Sequence, residues 1–118
     1  MENKKKNIGR NDGIKVSPGE IEEAIVDVLK KIYDPEIPVN IYDLGLIYDI
    51  NVFEDGKVHI LMTLTAPGCP VADSIVREVK ERVELVYGVK EAEVELTFDP
   101  PWTQDFISEE GKLMLGMM

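Results

Sequence analysis

A chain of 118 residues can form one domain with its own hydrophobic core, and it needs neither a disulfide nor a structural metal to fold. The composition, 44% hydrophobic and 31% charged, is that of an ordinary globular protein, and a single cysteine excludes an intrachain disulfide. The net charge of -10 argues against nucleic-acid binding, because an acidic surface repels phosphates. Since the sequence has no long apolar run, we expect no signal peptide, no membrane span and a cytoplasmic location with a reduced thiol.

Residues 1–16 differ from the rest of the chain in charge. They carry five Lys or Arg against two Asp or Glu, whereas the remaining residues carry a net charge of -13. The segment has no hydrophobic periodicity, which predicts a disordered basic arm over 1–16 followed by a single domain over 17–118. The basic cluster Lys4–Lys6 could contact an acidic partner, and a solvated tail is the simpler interpretation.

A helix is predicted to begin at Ser17, because Ser17, Pro18 and Glu20 have the spacing of a capping box with proline at the first helical position. Apolar residues then recur at helical spacing and predict one buried face: Ile21, Ala24, Ile25, Val28, Leu29 and Ile32.

A proline-rich loop follows this helix and presents two acidic residues, Asp34 and Glu36. Two carboxylates this close in sequence could bind a cation or assist a nearby thiol. The alternative is structural, because Asp before Pro is common in turns.

Three strands are predicted, over 47–53, 58–64 and 90–98. The first two form a hairpin, since Asp55-Gly56 lies between two alternating apolar runs. His59 is out of phase with the apolar residues of its strand, so we expect it on the opposite face and away from the cysteine. In the third strand the residues expected to point inward are Ala92, Val94, Leu96 and Phe98.

Cys69 lies at the predicted junction between the second strand and a helix over 71–87 that ends at Gly88. Pro67, Gly68 and Pro70 predict a tight turn, with Pro70 at the first helical position and Cys69 at or next to the N-cap. The helix dipole there favours the thiolate, which is both a nucleophile and a metal ligand. Nearby carboxylates oppose this effect, and the sequence leaves the balance open.

The chain then leaves the third strand at Asp99-Pro100-Pro101-Trp102, and Trp102 is expected either to cap the cysteine site or to cover the core. A last short helix is predicted from Ser108 to Leu115. The order helix, strand, strand, helix, strand, short helix predicts an α+β fold. We expect a two-layer sandwich with the helices on one face of a three-stranded mixed sheet.

Three blocks of sequence carry a resemblance to a known family. They are DPEIPVNIYDLGLIY over 34–48, MTLTAPGCP over 62–70 and FDPPW over 98–102. Together they resemble the SufT/PaaD-like family of iron-sulfur cluster assembly factors, and the lack of a cysteine-bearing C-terminal extension favours the SufT-like branch. The resemblance implies an iron-sulfur assembly domain whose functional surface comprises Cys69, Thr65, Asp34 and Glu36. Ala66 departs from members that carry a hydroxyl at this position.

The implied function is delivery of clusters to client proteins rather than catalysis. One chain supplies one thiolate, whereas clusters have about four ligands, mostly thiolates, so we expect at most a transient cluster and no tightly bound cofactor. Cys69 would bridge a cluster within a homodimer or with a partner, or contact a client or the assembly machinery. The alternatives are a cysteine-dependent redox protein and an adaptor without a cluster. A KH-like nucleic-acid module is disfavoured, because the chain lacks a Gly-x-x-Gly loop between helices and its body is acidic.

Overall fold

The computed structural model describes the backbone of residues 7–8, 11–12, 16–65 and 72–117, and the side chains of 16–65 and 74–117. Its elements are, in chain order, β1 (Asn7–Ile8), β2 (Asn11–Asp12), α1 (Pro18–Leu29), β3 (Ile47–Val52), β4 (Lys57–Met62), α2 (Ala72–Glu84), β5 (Glu91–Leu96), a 3₁₀ turn (Gln104–Phe106) and α3 (Glu109–Met114). Strands β1 and β2 pair as a short antiparallel ribbon within the basic arm. The disorder expected for the arm remains a prediction.

Helix α1 begins as its sequence predicts. The Ser17 hydroxyl accepts a hydrogen bond from the Glu20 N–H at 3.2 Å, and the Glu20 carboxylate accepts one from the Ser17 N–H at 3.1 Å. These bonds stabilise the charged carboxylate and so lower the pKa of Glu20 below its usual value. The buried face of the helix contains Ile21, Ile25 and Leu29.

The main sheet has the strand order β3-β4-β5 and is mixed, because β4 pairs antiparallel with β3 and parallel with β5. The parallel pair requires a crossover, and α2 supplies it. Helix α1 contacts β3, α2 contacts β5, and the two helices contact each other. The predicted α+β sandwich with a three-stranded mixed sheet is therefore confirmed.

Strand β4 separates the two faces of the sheet. Val58, Ile60 and Met62 are buried in the core. His59 lies on the opposite face, as predicted, where its Nε2 is 3.0 Å from Oε1 of Glu95. The sheet thus has an apolar face under the helices and a polar face toward solvent. No helix in the described part of the chain is long and apolar enough to cross a membrane.

Two local predictions are wrong. Helix α2 ends at Glu84 rather than near Tyr87, because the chain tightens into successive turns before Gly88, whose φ is 96°. Leu96 and Phe98 were expected to be buried inside the sandwich, but they are 37% and 36% exposed. Helix α2 is hydrogen-bonded to β5 at Ala92, near the start of the strand, and burial of the helix-facing side chains falls toward its end.

Candidate functional site

The start of β3 and the ends of β4 and β5 lie side by side at one end of the sheet. This arrangement follows from the strand directions, since β4 and β5 are parallel and β3 runs opposite to both. Two backbone hydrogen bonds continue the pairing beyond the strands: the Thr63 N–H donates to the Leu46 carbonyl at 2.8 Å, and the Thr97 N–H donates to the Met62 carbonyl at 2.8 Å. We call this region the upper end of the sheet. It brings together parts of all three sequence blocks.

Side chains reinforce the upper end. The Tyr48 hydroxyl donates to the Pro100 carbonyl at 2.7 Å, and the Trp102 indole N–H donates to the Leu44 carbonyl at 2.7 Å. The Tyr48 ring meets Phe106 edge to face, with centroids 5.8 Å apart. Burial raises the pKa of Tyr48, and a hydrogen bond with Thr63 partly opposes this. Tyr48 and Trp102 therefore fasten the segment after β5 to the segment before and within β3.

Trp102 was expected either to cap the cysteine site or to cover the core. Trp102 is half-buried and packs against the core cluster, and its indole N–H donates to the Leu44 carbonyl. The described contacts therefore agree with the covering role.

Gly45 allows the C-terminal segment to come this close. Its φ is 82°, and a Cβ atom at this position would lie 2.3 Å from the Phe106 carbonyl oxygen. Only a residue without a side chain fits both the backbone conformation and the approach of Phe106.

Asp34 and Glu36 lie together on the loop after α1. The Asp34 Oδ2 atom accepts hydrogen bonds from the backbone N–H of Glu36 at 2.8 Å and of Ile37 at 2.9 Å. Asp34 is partly buried and Glu36 is exposed. Among the described residues, neither carboxylate is hydrogen-bonded to Thr65 or Trp102. Asp34 therefore shapes the turn, as its position before proline predicts, and presents Glu36 to solvent.

The predicted cysteine site lies largely outside the described residues. This applies to Cys69, Pro67, Gly68 and Pro70, whereas Thr65 is described and is half-buried just beyond β4. The segment 66–71 connects this point with the start of α2, so it departs from the upper end of the sheet. Within the ranges that the structure covers, no group of three His, Cys, Asp or Glu side chains could hold a metal ion.

A buried polar cluster beside the upper end was missed by sequence reasoning. Asp43 is 5% exposed, and its two carboxylate oxygens accept from Asn40 Nδ2 and from the Ser108 hydroxyl, each at 2.8 Å. Ser108 also caps α3 by accepting from the Gly111 N–H. The only sequence signal for this cluster was the helix start at Ser108, and Asp43 precedes it by 65 residues.

A family profile described as "Iron-sulfur cluster assembly protein" matches residues 22–96, which run from within α1 to the end of β5. The chain belongs to this iron-sulfur cluster assembly family. The resemblance carried by the three sequence blocks is thereby confirmed. The matched range contains the first two sequence blocks, over 34–48 and 62–70, and ends two residues before the third block begins at Phe98.

The names of similar proteins agree with membership of this family. The chain is 56% identical to "Fe-S protein maturation auxiliary factor" of Porphyromonas gingivalis, over 82% of this chain and 92% of the relative. It is 37% identical to "Fe-S protein maturation auxiliary factor SufT" of Staphylococcus aureus, over 73% of this chain and 98% of the relative. It is also 32% identical to a longer "Iron-sulfur cluster carrier protein" of Synechocystis, over 67% of this chain but 22% of that protein.

A solved structure confirms the fold of this family member. The "Domain of Unknown Function DUF59" from Bacillus anthracis superposes with a TM-score of 0.78 at 36% identity, over 86% of this chain and 96% of that one. The α+β architecture of the iron-sulfur cluster assembly domain is thus the architecture of this chain.

Proposed function

We propose that this protein is an auxiliary factor in the maturation of iron-sulfur proteins and that it works from the upper end of the sheet. One observation carries the proposal: parts of the three sequence blocks characteristic of the family converge there, fastened by Tyr48 and Trp102. The names of the relatives support maturation as the process. In this proposal the protein acts in the cytoplasm, without catalysing a reaction, on the assembly machinery and on client proteins that lack their clusters.

Cys69 is the residue to which the proposal assigns contact with the cluster or with the client. The segment 66–71 that contains it leaves the sheet directly after Thr65, at the upper end. A thiolate is the usual ligand of iron-sulfur clusters, and each cluster needs about four ligands. One chain offers one thiolate, so the cluster is cargo that Cys69 shares with a second copy or with a partner.

The two carboxylates receive different roles in this proposal. Asp34 already accepts two backbone hydrogen bonds within its own turn, and Glu36 is exposed on that turn. We therefore assign the contact with cargo or partner to Glu36 and the orientation of the turn to Asp34. Thr65, at the point where the cysteine segment begins, is assigned a supporting role.

The decisive experiment is anaerobic reconstitution with iron and sulfide, applied to the wild type and to Cys69→Ser. Iron, sulfide, visible absorption and oligomeric state are measured per chain. A cluster at about one per two chains that is lost in Cys69→Ser would support a dimeric carrier, in which each copy supplies one of the cluster's thiolate ligands. Absence of a cluster in both proteins would support an adaptor that engages other assembly proteins.

A measurement of client maturation in cells tests the proposal as a whole, because both a carrier and an adaptor would be needed for it. Cys69→Ser is expected to reduce the activity of cluster-dependent client enzymes, and Glu36→Gln is expected to reduce it less. Glu54→Gln, an exposed glutamate in the hairpin turn, is the matched control and should have no effect. Unchanged client activity in Cys69→Ser cells would rule out the assigned role of Cys69. Trapping of a sulfenic acid at Cys69 after mild peroxide would instead favour a redox protein.

A further inference from the structure

A small apolar groove lies where the end of α1 meets the turn after α2. The groove is lined by Val28, Leu85 and Val86 and by the side chains of Lys31 and Arg82. Its volume is about 360 Å³. Leu85 is 85% exposed, the largest exposure among the large hydrophobic side chains that the structure describes. A leucine in this position contributes little to the core, because almost none of its surface leaves water on folding.

Helix α2 separates the groove from the segment that contains Cys69. Helix α2 begins next to the segment that contains Cys69 and ends beside the groove. Its 13 residues span about 20 Å at 1.5 Å per residue. A molecule bound in the groove would therefore lie about one helix length from the start of α2.

The charge of the groove is opposite to that of the chain. The chain carries -10, yet both charged residues that line the groove are basic. Arg82 bonds Glu78 through Nε at 3.1 Å, and a guanidinium has further N–H donors for a second carboxylate. The basic arm of this chain is a poor occupant, because Lys4–Lys6 would meet like charge at Lys31 and Arg82.

We infer that this groove binds an acidic amphipathic segment of a partner protein. An apolar side chain of the partner packs against Leu85 and Val86, and its carboxylates pair with Lys31 and Arg82. The inference is independent of the proposed function and goes beyond it.

The test is an NMR titration in which a synthetic peptide is added to the full chain. The methyl groups of the chain are isotope-labelled, and their signals are followed. The peptide has about 16 residues, roughly four helical turns, with leucines on one face and glutamates on the other. The control peptide carries lysine in place of every glutamate. We expect saturable shifts of the Val28, Leu85 and Val86 methyl signals with the acidic peptide and none with the basic one.

Variants of the groove residues test whether the peptide binds in the groove. Leu85→Ser and the double variant Lys31→Glu/Arg82→Glu should each raise the dissociation constant at least tenfold, about 1.4 kcal/mol of binding free energy. Leu113→Ser, at another exposed leucine, should leave it unchanged. Equal binding of both peptides, shifts located elsewhere, or no saturable shift would overturn the inference. Concentration-dependent dimerisation that Leu85→Ser abolishes would also overturn it, since the occupant would then be a second copy.

Discussion

Asp43 shows how a single side chain supports the upper end of the sheet. It is 5% exposed and accepts hydrogen bonds from Asn40 on its own loop and from Ser108 at the start of α3. Its backbone carbonyl also accepts from the Ser108 N–H at 2.8 Å. The carboxylate therefore joins the loop before β3 to the C-terminal segment, and its burial is compensated by these bonds.

We predict that Asp43→Ala lowers the free energy of unfolding by about 2–4 kcal/mol, because the buried Asn40 amide and the half-buried Ser108 hydroxyl lose their acceptor. Urea denaturation of the purified variant measures this loss. Asp49→Ala, at an exposed carboxylate of β3, is the control and should change the stability by less than about 0.5 kcal/mol. A stability of Asp43→Ala equal to that of the wild type would show that the cluster is not important for the fold.

A second prediction concerns Gly45. Gly45→Ala combines a strained positive φ with a collision against backbone atoms of Phe106, so we expect a loss of about 3 kcal/mol or more. Gly116→Ala has a positive φ of 72° but no atom within 4 Å of the new Cβ, and it should lose about 1 kcal/mol. The difference between the two variants in urea denaturation measures the cost of the close approach alone. Equal losses would mean that the Phe106 segment moves away freely.

At the level of elements, α2 is held to β5 by a small polar clamp. The Glu84 carboxylate accepts from Lys80 Nζ at 2.7 Å and from the Ala92 N–H at 3.1 Å, and Lys80 also donates to the Ala92 carbonyl at 2.7 Å. The hydrogen bond from Lys80 and that from the Ala92 backbone lower the pKa of Glu84. The clamp fixes the end of the crossover helix against the beginning of the parallel strand.

This lowered pKa predicts a pH dependence. The stabilisation by Glu84 is present above the unfolded-state value of 4.5 and is lost as the pH falls through the lower folded-state value. Glu84→Gln should therefore be less stable than the wild type at neutral pH, and the difference should shrink as the pH falls below 4.5. Urea denaturation from pH 7 to pH 3 measures it. Glu23→Gln, on the exposed face of α1, is the control; a constant difference between Glu84→Gln and the wild type would contradict the assignment.

The elements also show what local sequence signals can and cannot predict. The capping box at Ser17 and the Asp55-Gly56 turn act within a few residues, so the start of α1 and the β3-β4 hairpin were correctly predicted. Leu96 follows the alternating pattern of a buried strand, yet the cover provided by α2 declines before reaching it. The Asp43-Ser108 bond joins distant segments, and no local pattern indicates it. The site residue Cys69 was chosen from its motif and remains a prediction.

For the whole molecule, all buried core residues of the described chain lie between Ile21 and Ile107. We therefore predict that removing residues 1–15 leaves the midpoint of urea unfolding unchanged within error, because the core cluster stays complete. Removing residues 103–118 should instead abolish cooperative unfolding, since Ile107 and the Asp43-Ser108 bond are lost. A large drop in the midpoint on removal of 1–15 would show that the arm belongs to the domain, contrary to the predicted boundary.

The strand order also fixes when the upper end of the sheet is completed during synthesis. Strands β3 and β4 are neighbours in sequence and can pair as soon as both have been made, whereas β5 can join them only after all of α2 has followed. The Tyr48-Pro100 and Trp102-Leu44 bonds come later still along the chain. A ribosome-bound chain that has emerged only as far as Cys69 therefore contains the cysteine before the upper end of the sheet is complete. The upper end of the sheet is complete only when nearly the whole chain has been translated.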